Sequence, residues 1–84
     1  MKIRLRYFAS VREKLGVSEE WVTLPENVET VEDVRLLLIN RGGVWSHVLS
    51  AGQLKAACQL KMATPDTKVT DGCEIAFFPP VTGG

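Results

Sequence analysis

The chain finishes on Phe78-Pro79-Pro80-Val81-Thr82-Gly83-Gly84, the one stretch whose composition points to covalent chemistry. Two prolines fix φ and favour an extended course. After them no side chain is charged, and the last two residues have no side chain at all. The five residues from Pro80 to Gly84 can reach about 16 Å at roughly 3.3 Å per residue. A frayed terminus is the plain alternative. Frayed ends, however, are usually polar or charged, and this one has no charged side chain. Glycine, lacking Cβ, threads a narrow channel and takes backbone angles closed to other residues. The only reactive group such an end presents is the α-carboxylate of Gly84. The pattern predicts a flexible tail over 79–84, with Gly84 as the reacting residue and Gly83 as the threading one.

Other residues able to do chemistry are better explained by structure. His47 is the only histidine and has no acidic or cysteine neighbour in sequence. Ser10 and Ser50 show no histidine partner, and Ser10 suits a helix cap. Cys58 and Cys73, with one histidine at an unrelated spacing, do not make the four ligands of a closed zinc site. They read as small thiols in or near the core, and no metal is expected. Gly42-Gly43 follows a helix and lacks the Lys-Ser/Thr of a phosphate loop. Trp21 and Trp45 read as packing residues. Lys2, Arg4 and Arg6 are offset by six acidic residues between Glu19 and Asp33. No stacking array accompanies them, so no nucleic-acid partner is expected.

The elements that must position the tail follow from periodicity. Lys2 to Phe8 alternates, with Ile3, Leu5 and Tyr7 on one face and Lys2, Arg4, Arg6 and Phe8 on the other. Ser10-Val11-Arg12-Glu13 has capping-box form, and Gly16 stops the helical turn that follows. Glu20–Leu24 reads as a second strand, antiparallel to the first and closed by Pro25. Thr30 caps a helix to about Arg41, with Val31, Val34, Leu37 and Leu38 on its apolar face and Gly42-Gly43 at its end. Val44–Leu49 forms another helical turn. Leu54 to Met62 alternates as a strand with Leu54, Ala56, Cys58, Leu60 and Met62 on one side. Asp71-Gly72 marks a tight turn. Cys73–Phe78 is the last strand, with Ile75 and Phe77 inward and Pro79-Pro80 ending it. The order predicts an α+β fold: a mixed sheet of four or five strands, one main helix and short helical turns. That is the β-grasp, or ubiquitin-like, architecture.

Length and composition agree. The 84 residues are 45% hydrophobic and 24% charged, with ten basic and ten acidic side chains. One domain over 1–84 is expected, with enough apolar residues for a core. No apolar run nears the roughly 18 residues of a membrane span. The charge alternation at Met1–Arg6 does not look like a signal peptide. These features, with free cysteines, predict a cytoplasmic protein without a membrane partner.

The stretch Asp71-Gly72-Cys73-Glu74-Ile75-Ala76-Phe77-Phe78-Pro79-Pro80-Val81-Thr82-Gly83-Gly84 resembles the C-terminus of the MoaD family, the small subunit of molybdopterin synthase. Tyr7-Phe8-Ala9-Ser10-Val11-Arg12-Glu13, with Gly16 after it, is similar to that family's first strand and turn. Cys73, and Cys58 before Gln59, depart from the usual family residues. The resemblance implies a ubiquitin-like sulfur carrier, non-catalytic by itself, working in a heterotetramer. It implies that no cofactor is bound permanently. A MoeB-type adenylating enzyme would convert the Gly84 carboxylate to a transient acyl adenylate with ATP. A persulfide donor would replace AMP and leave a thiocarboxylate sulfur on Gly84. The MoaE-type large subunit would then move that sulfur to cyclic pyranopterin monophosphate, building the molybdopterin dithiolene. A ThiS-like carrier of the thiamine pathway and a ubiquitin-like protein modifier are the alternatives with the same kind of tail.

Parity predicts a docking face as well. Phe8, Ala76 and Phe78 should share the sheet face opposite Ile3, Leu5, Ile75 and Phe77. Lys61 should join them through the parity of Lys55 and Gln59, giving an aromatic patch with a basic border that includes Arg4 and Arg6. Pro79, Pro80, Val81 and Thr82 would carry the contact along the tail, and the resemblance implies that both partner enzymes dock there.

Overall fold

A computed structural model of the chain describes residues 1–80. In chain order the elements are β1 (Lys2–Tyr7), α1 (Ala9–Leu15), β2 (Glu19–Thr23), α2 (Val31–Ile39), α3 (Gly43–Leu49), β3 (Lys55–Cys58), β4 (Lys61–Met62) and β5 (Glu74–Phe78). The five strands form one sheet in the order β2-β1-β5-β3-β4. The central pair, β1 and β5, is parallel, and the other neighbours are antiparallel. The expected α+β, β-grasp arrangement is therefore present, with five strands and α2 as the longest helix.

Alternation in β1 and β5 sets the two faces. Ile3, Leu5, Tyr7, Ile75 and Phe77 are buried, and the residues between them are not. Val11 and Leu15 of α1, Val31, Val34 and Leu38 of α2, and Val48 and Leu49 of α3 complete the same core cluster. All three helices thus pack on one face of the sheet. The Asp71-Gly72 turn locks the central strands: Gly72 N–H donates to the Lys2 carbonyl at 2.7 Å, and Lys2 N–H donates to Asp71 Oδ1 at 2.8 Å. Gly72 sits at φ 81°, a left-handed conformation that glycine takes at no steric cost.

Helix ends follow local chemistry, with one correction. Thr30 caps α2 as expected: its Oγ1 accepts from Asp33 N–H, and Asp33 Oδ2 accepts from the Thr30 and Glu29 N–H groups. Ser10, by contrast, does not cap α1. The helix begins two residues earlier than a Ser10 cap would place it, with Phe8 at the cap position and no side-chain cap bond. The Phe8 carbonyl accepts from Val11 and Arg12 N–H, so strand β1 runs almost directly into the helix. The stop at Gly16 holds, in a left-handed conformation at φ 73°. Helix α2 ends at Ile39, two residues before Arg41, which turns aside to another task.

The larger correction concerns 54–62. The alternation there is a hairpin and not one strand. β3 turns at Gln59 (φ 51°) and Leu60 (φ 69°) and returns as β4. Two consecutive left-handed residues make the type I′ geometry that suits a two-residue hairpin. Neither is Gly, Asn or Asp, so the usual turn signal is missing. Gln59 is held in place by β5: its N–H donates to the Glu74 carbonyl at 3.0 Å, and its Oε1 accepts from Glu74 N–H at 2.9 Å.

Candidate functional site: the open sheet face and the tail exit

The face that carries no helix can be read row by row from the strand register, because directly opposed residues share a face. One row runs Glu19, Arg6, Ala76, Ala57, Met62. A second runs Trp21, Arg4, Glu74. Phe78 opposes Lys55 at the tail end of the sheet. Phe8 joins this face because the Arg6 guanidinium lies over its ring, 5.1 Å from the centroid. The expected cluster of Phe8, Ala76 and Phe78 is thus brought together. Phe8 is 37% exposed, and Phe78 is half-buried.

Lys61 does not join them. The two-residue turn reverses the parity of everything after Cys58, so Lys61 opposes Cys58 and takes the parity of the helix-bearing face. Met62 stands in its place, 68% exposed on the open face. Trp21, 56% exposed beside Arg4, is the other residue that sequence reasoning missed. Its signal was the alternation of β2 itself, once Arg4 is paired with it. The basic border is also less free than expected. Arg4 donates to Glu19 through both Nε and Nη2. Glu74 lies 3.8 Å from Arg4 and 3.9 Å from Arg6.

The helix-bearing face holds a polar network of its own. Tyr7 OH donates to Glu20 Oε2 at 2.9 Å, and Arg41 grips both carboxylate oxygens of Glu20 at 2.9 and 3.0 Å. Arg41 also lies over the Trp45 ring, which meets Tyr7 edge-on. This ties β1, β2 and the α2–α3 connection together. Burial pushes the Tyr7 hydroxyl far above its ordinary range, and the Glu20 charge and hydrogen bond add to that. For Glu20, burial acts upward, but the Arg41 and Tyr7 hydrogen bonds and the Arg41 charge outweigh it and hold the carboxyl below its usual range. A carboxyl lowered in the folded state binds fewer protons there than in the unfolded chain. Its stabilisation is therefore complete above the unfolded pKa and is lost as pH falls through the folded one. Denaturant titrations of wild type and Glu20→Gln should show a stability gap that narrows on acidification below about pH 4. A gap constant from neutral pH to about pH 3 would contradict this role.

Strand β5 ends at Phe78, and Pro79 and Pro80 follow it. Pro79 and Pro80 are half-buried and form one wall of a groove of about 610 Å³. Its other walls include Ser10 and Lys14 of α1 and Ser46 and His47 of α3. Val81, Thr82, Gly83 and Gly84 lie outside the described residues. The cysteines are reduced, with Cys73 buried and Cys58 half-buried. Burial pushes the Cys58 thiol above its usual range, and neighbouring Cys73 adds to the shift, which disfavours a nucleophilic thiolate. No helix among the described residues is long and apolar enough to cross a membrane.

The β-grasp core with an open aromatic face, followed in sequence by Pro-Pro and a Gly-Gly end, is that of a small ubiquitin-like protein. The ThiS family model matches residues 5–84, and the chain belongs to that family. Within it, the chain is 38% identical over 82 residues to the molybdopterin synthase sulfur carrier subunit of Haemophilus influenzae. It is 39% identical over 82 residues to the protein of that name from Escherichia coli. Each match covers 98% of this chain and 99% of the relative. The solved structure of SAMP1 from Haloferax volcanii shares the fold, with a TM-score of 0.76 over 100% of both chains at 21% identity. The likeness to the MoaD family seen in the tail therefore extends along the whole sequence.

Proposed function

We propose that this chain is the sulfur-carrying subunit of a molybdopterin synthase, and that Gly84 is its working residue. The near full-length match to two proteins named molybdopterin synthase sulfur carrier subunit carries this reading. The chemistry follows from the weakness of a carboxylate as an electrophile. An adenylating enzyme of the MoeB type transfers AMP from ATP to the Gly84 carboxylate and releases pyrophosphate. A persulfide donor then attacks the acyl carbon, and AMP leaves. A thiol cleaves the resulting S–S bond, leaving the thiocarboxylate. The sulfur acts as a tethered nucleophile toward cyclic pyranopterin monophosphate on the large subunit, with the entropic advantage of a held reactant. Gly83 keeps the tail slim enough to enter that site, and Val81 and Thr82 carry the partner contact along the tail. Phe8, Ala76, Phe78, Pro79 and Pro80 supply the docking contact. Lys61 is left outside it by the hairpin, and Met62 takes its position. The cycle belongs in the reducing cytoplasm, where thiols and thiocarboxylates persist.

Reconstitution tests the assignment. The chain prepared as its thiocarboxylate, mixed with the large subunit and precursor, should form molybdopterin and return as the plain carboxylate. The unmodified chain should form none. Sulfur transfer from the unmodified chain, or none from the thiocarboxylate, would overturn the assignment.

A further inference from the structure

Arg6 stands where the apolar and charged halves of the open face meet. On one side Ala76, Ala57 and Met62 continue its row, and on the other Glu19 opposes it. Glu19 is nevertheless engaged by Arg4 through two donors. Glu74 comes no closer to Arg6 than 3.9 Å, and the same oxygen is 3.8 Å from Arg4. Arg6 Nε is shut off from solvent and has no hydrogen-bond partner. A guanidinium is always charged and carries five N–H donors, and a buried donor left unpaired is costly. The Arg6 side chain as a whole is 39% exposed, with its guanidinium carbon over the Phe8 ring. Rotation away from Phe8 toward an incoming acceptor would satisfy Nε as well.

We propose that Arg6 is the specificity-determining residue of the docking face, receiving an aspartate or glutamate carboxylate of the partner protein. Fork-to-carboxylate geometry makes such a contact selective. Phe8 lies beside it and Ala76 is its neighbour on β5, so apolar surface flanks the contact and strengthens it. Glu19 and Glu74 on the same face repel a multiply charged polyphosphate more strongly than a single carboxylate, so a protein carboxylate is the anion that fits better. Arg4, already paired, contributes little. This inference rests on the proposed docking of the large subunit on the open face.

Binding kinetics of the full chain with the large subunit test it. Arg6→Gln should weaken binding about 30-fold or more, mainly through faster dissociation. Arg4→Gln should stay within about threefold of wild type. In addition, carbodiimide treatment of the complex made with Arg6→Lys should link position 6 to an aspartate or glutamate of the partner. That crosslink decides the matter if Arg6→Gln should prove unstable. Near-wild-type binding by a folded Arg6→Gln, or no crosslink at position 6, overturns the inference alone. Failure of the wild-type chain to bind the large subunit overturns it together with the proposed function.

Discussion

Deletion of Gly84 should cut sulfur transfer by more than about 100-fold while leaving the fold intact. The shortened chain still ends in a glycine carboxylate, but its reactive end falls short by about 3.3 Å. Displacement of a reacting group by as little as about 1 Å can cost on the order of 100-fold. The fold should be unaffected, because the buried core residues run from Ile3 to Phe77. Activity assays with the large subunit, alongside a thermal melt, separate the two effects. Molybdopterin synthesis at the normal rate by the truncated chain would remove Gly84 from the mechanism. Gly83→Val should be impaired as well, since a branched side chain widens a tail that has to enter a confined site.

Two adjacent phenylalanines should fail in opposite ways. Phe77 is fully buried on the helix-bearing face and stacks near Tyr7, with ring centroids 6.4 Å apart. Phe77→Ala should cost about 3–5 kcal/mol of folding stability through the cavity it leaves. For a domain of this size that is a large share of the total. Phe78 lies on the open face beside Lys55. Phe78→Ala should stay folded and lose about 2 kcal/mol of binding to the large subunit, roughly a 30-fold weaker complex. Denaturant unfolding and binding measured on both variants would show the crossover. A Phe78→Ala variant that binds like wild type would mean that the open face is not the docking surface.

The sequence carried much of this because the central strands bury one face and leave the other open. Ile3, Leu5, Tyr7, Ile75 and Phe77 alternate with charged or exposed neighbours, and the helices leave no other way to bury them. The Thr30 cap was legible for a similar reason: Asp33 stands at the spacing that closes the box. The hairpin at Gln59-Leu60 was not, since neither residue advertises a left-handed conformation and the apolar alternation continues past it. A two-residue turn reverses parity, and that reversal exchanged Lys61 for Met62 on the docking face. Ser10 misled because a capping-box pattern fits it, while the chain enters the helix two residues earlier, at a Phe8 cap. Trp21 was legible in β2, but its neighbour across β1 had to be known before its place on the open face had meaning. The unpaired Nε of Arg6 depends on where Arg4 and Glu19 meet, which no spacing rule conveys.

Intact-mass measurement of the chain, after incubation with its adenylating enzyme, ATP and persulfide donor, tests the central claim most directly. Replacement of oxygen by sulfur at the terminal carboxylate should add about 16 Da, and fragmentation should place the gain on Gly84. An unchanged mass would contradict the sulfur-carrier mechanism. So would a gain of about 32 Da on Cys58 or Cys73, the mark of a cysteine persulfide, or isopeptide conjugates to lysines in place of the thiocarboxylate.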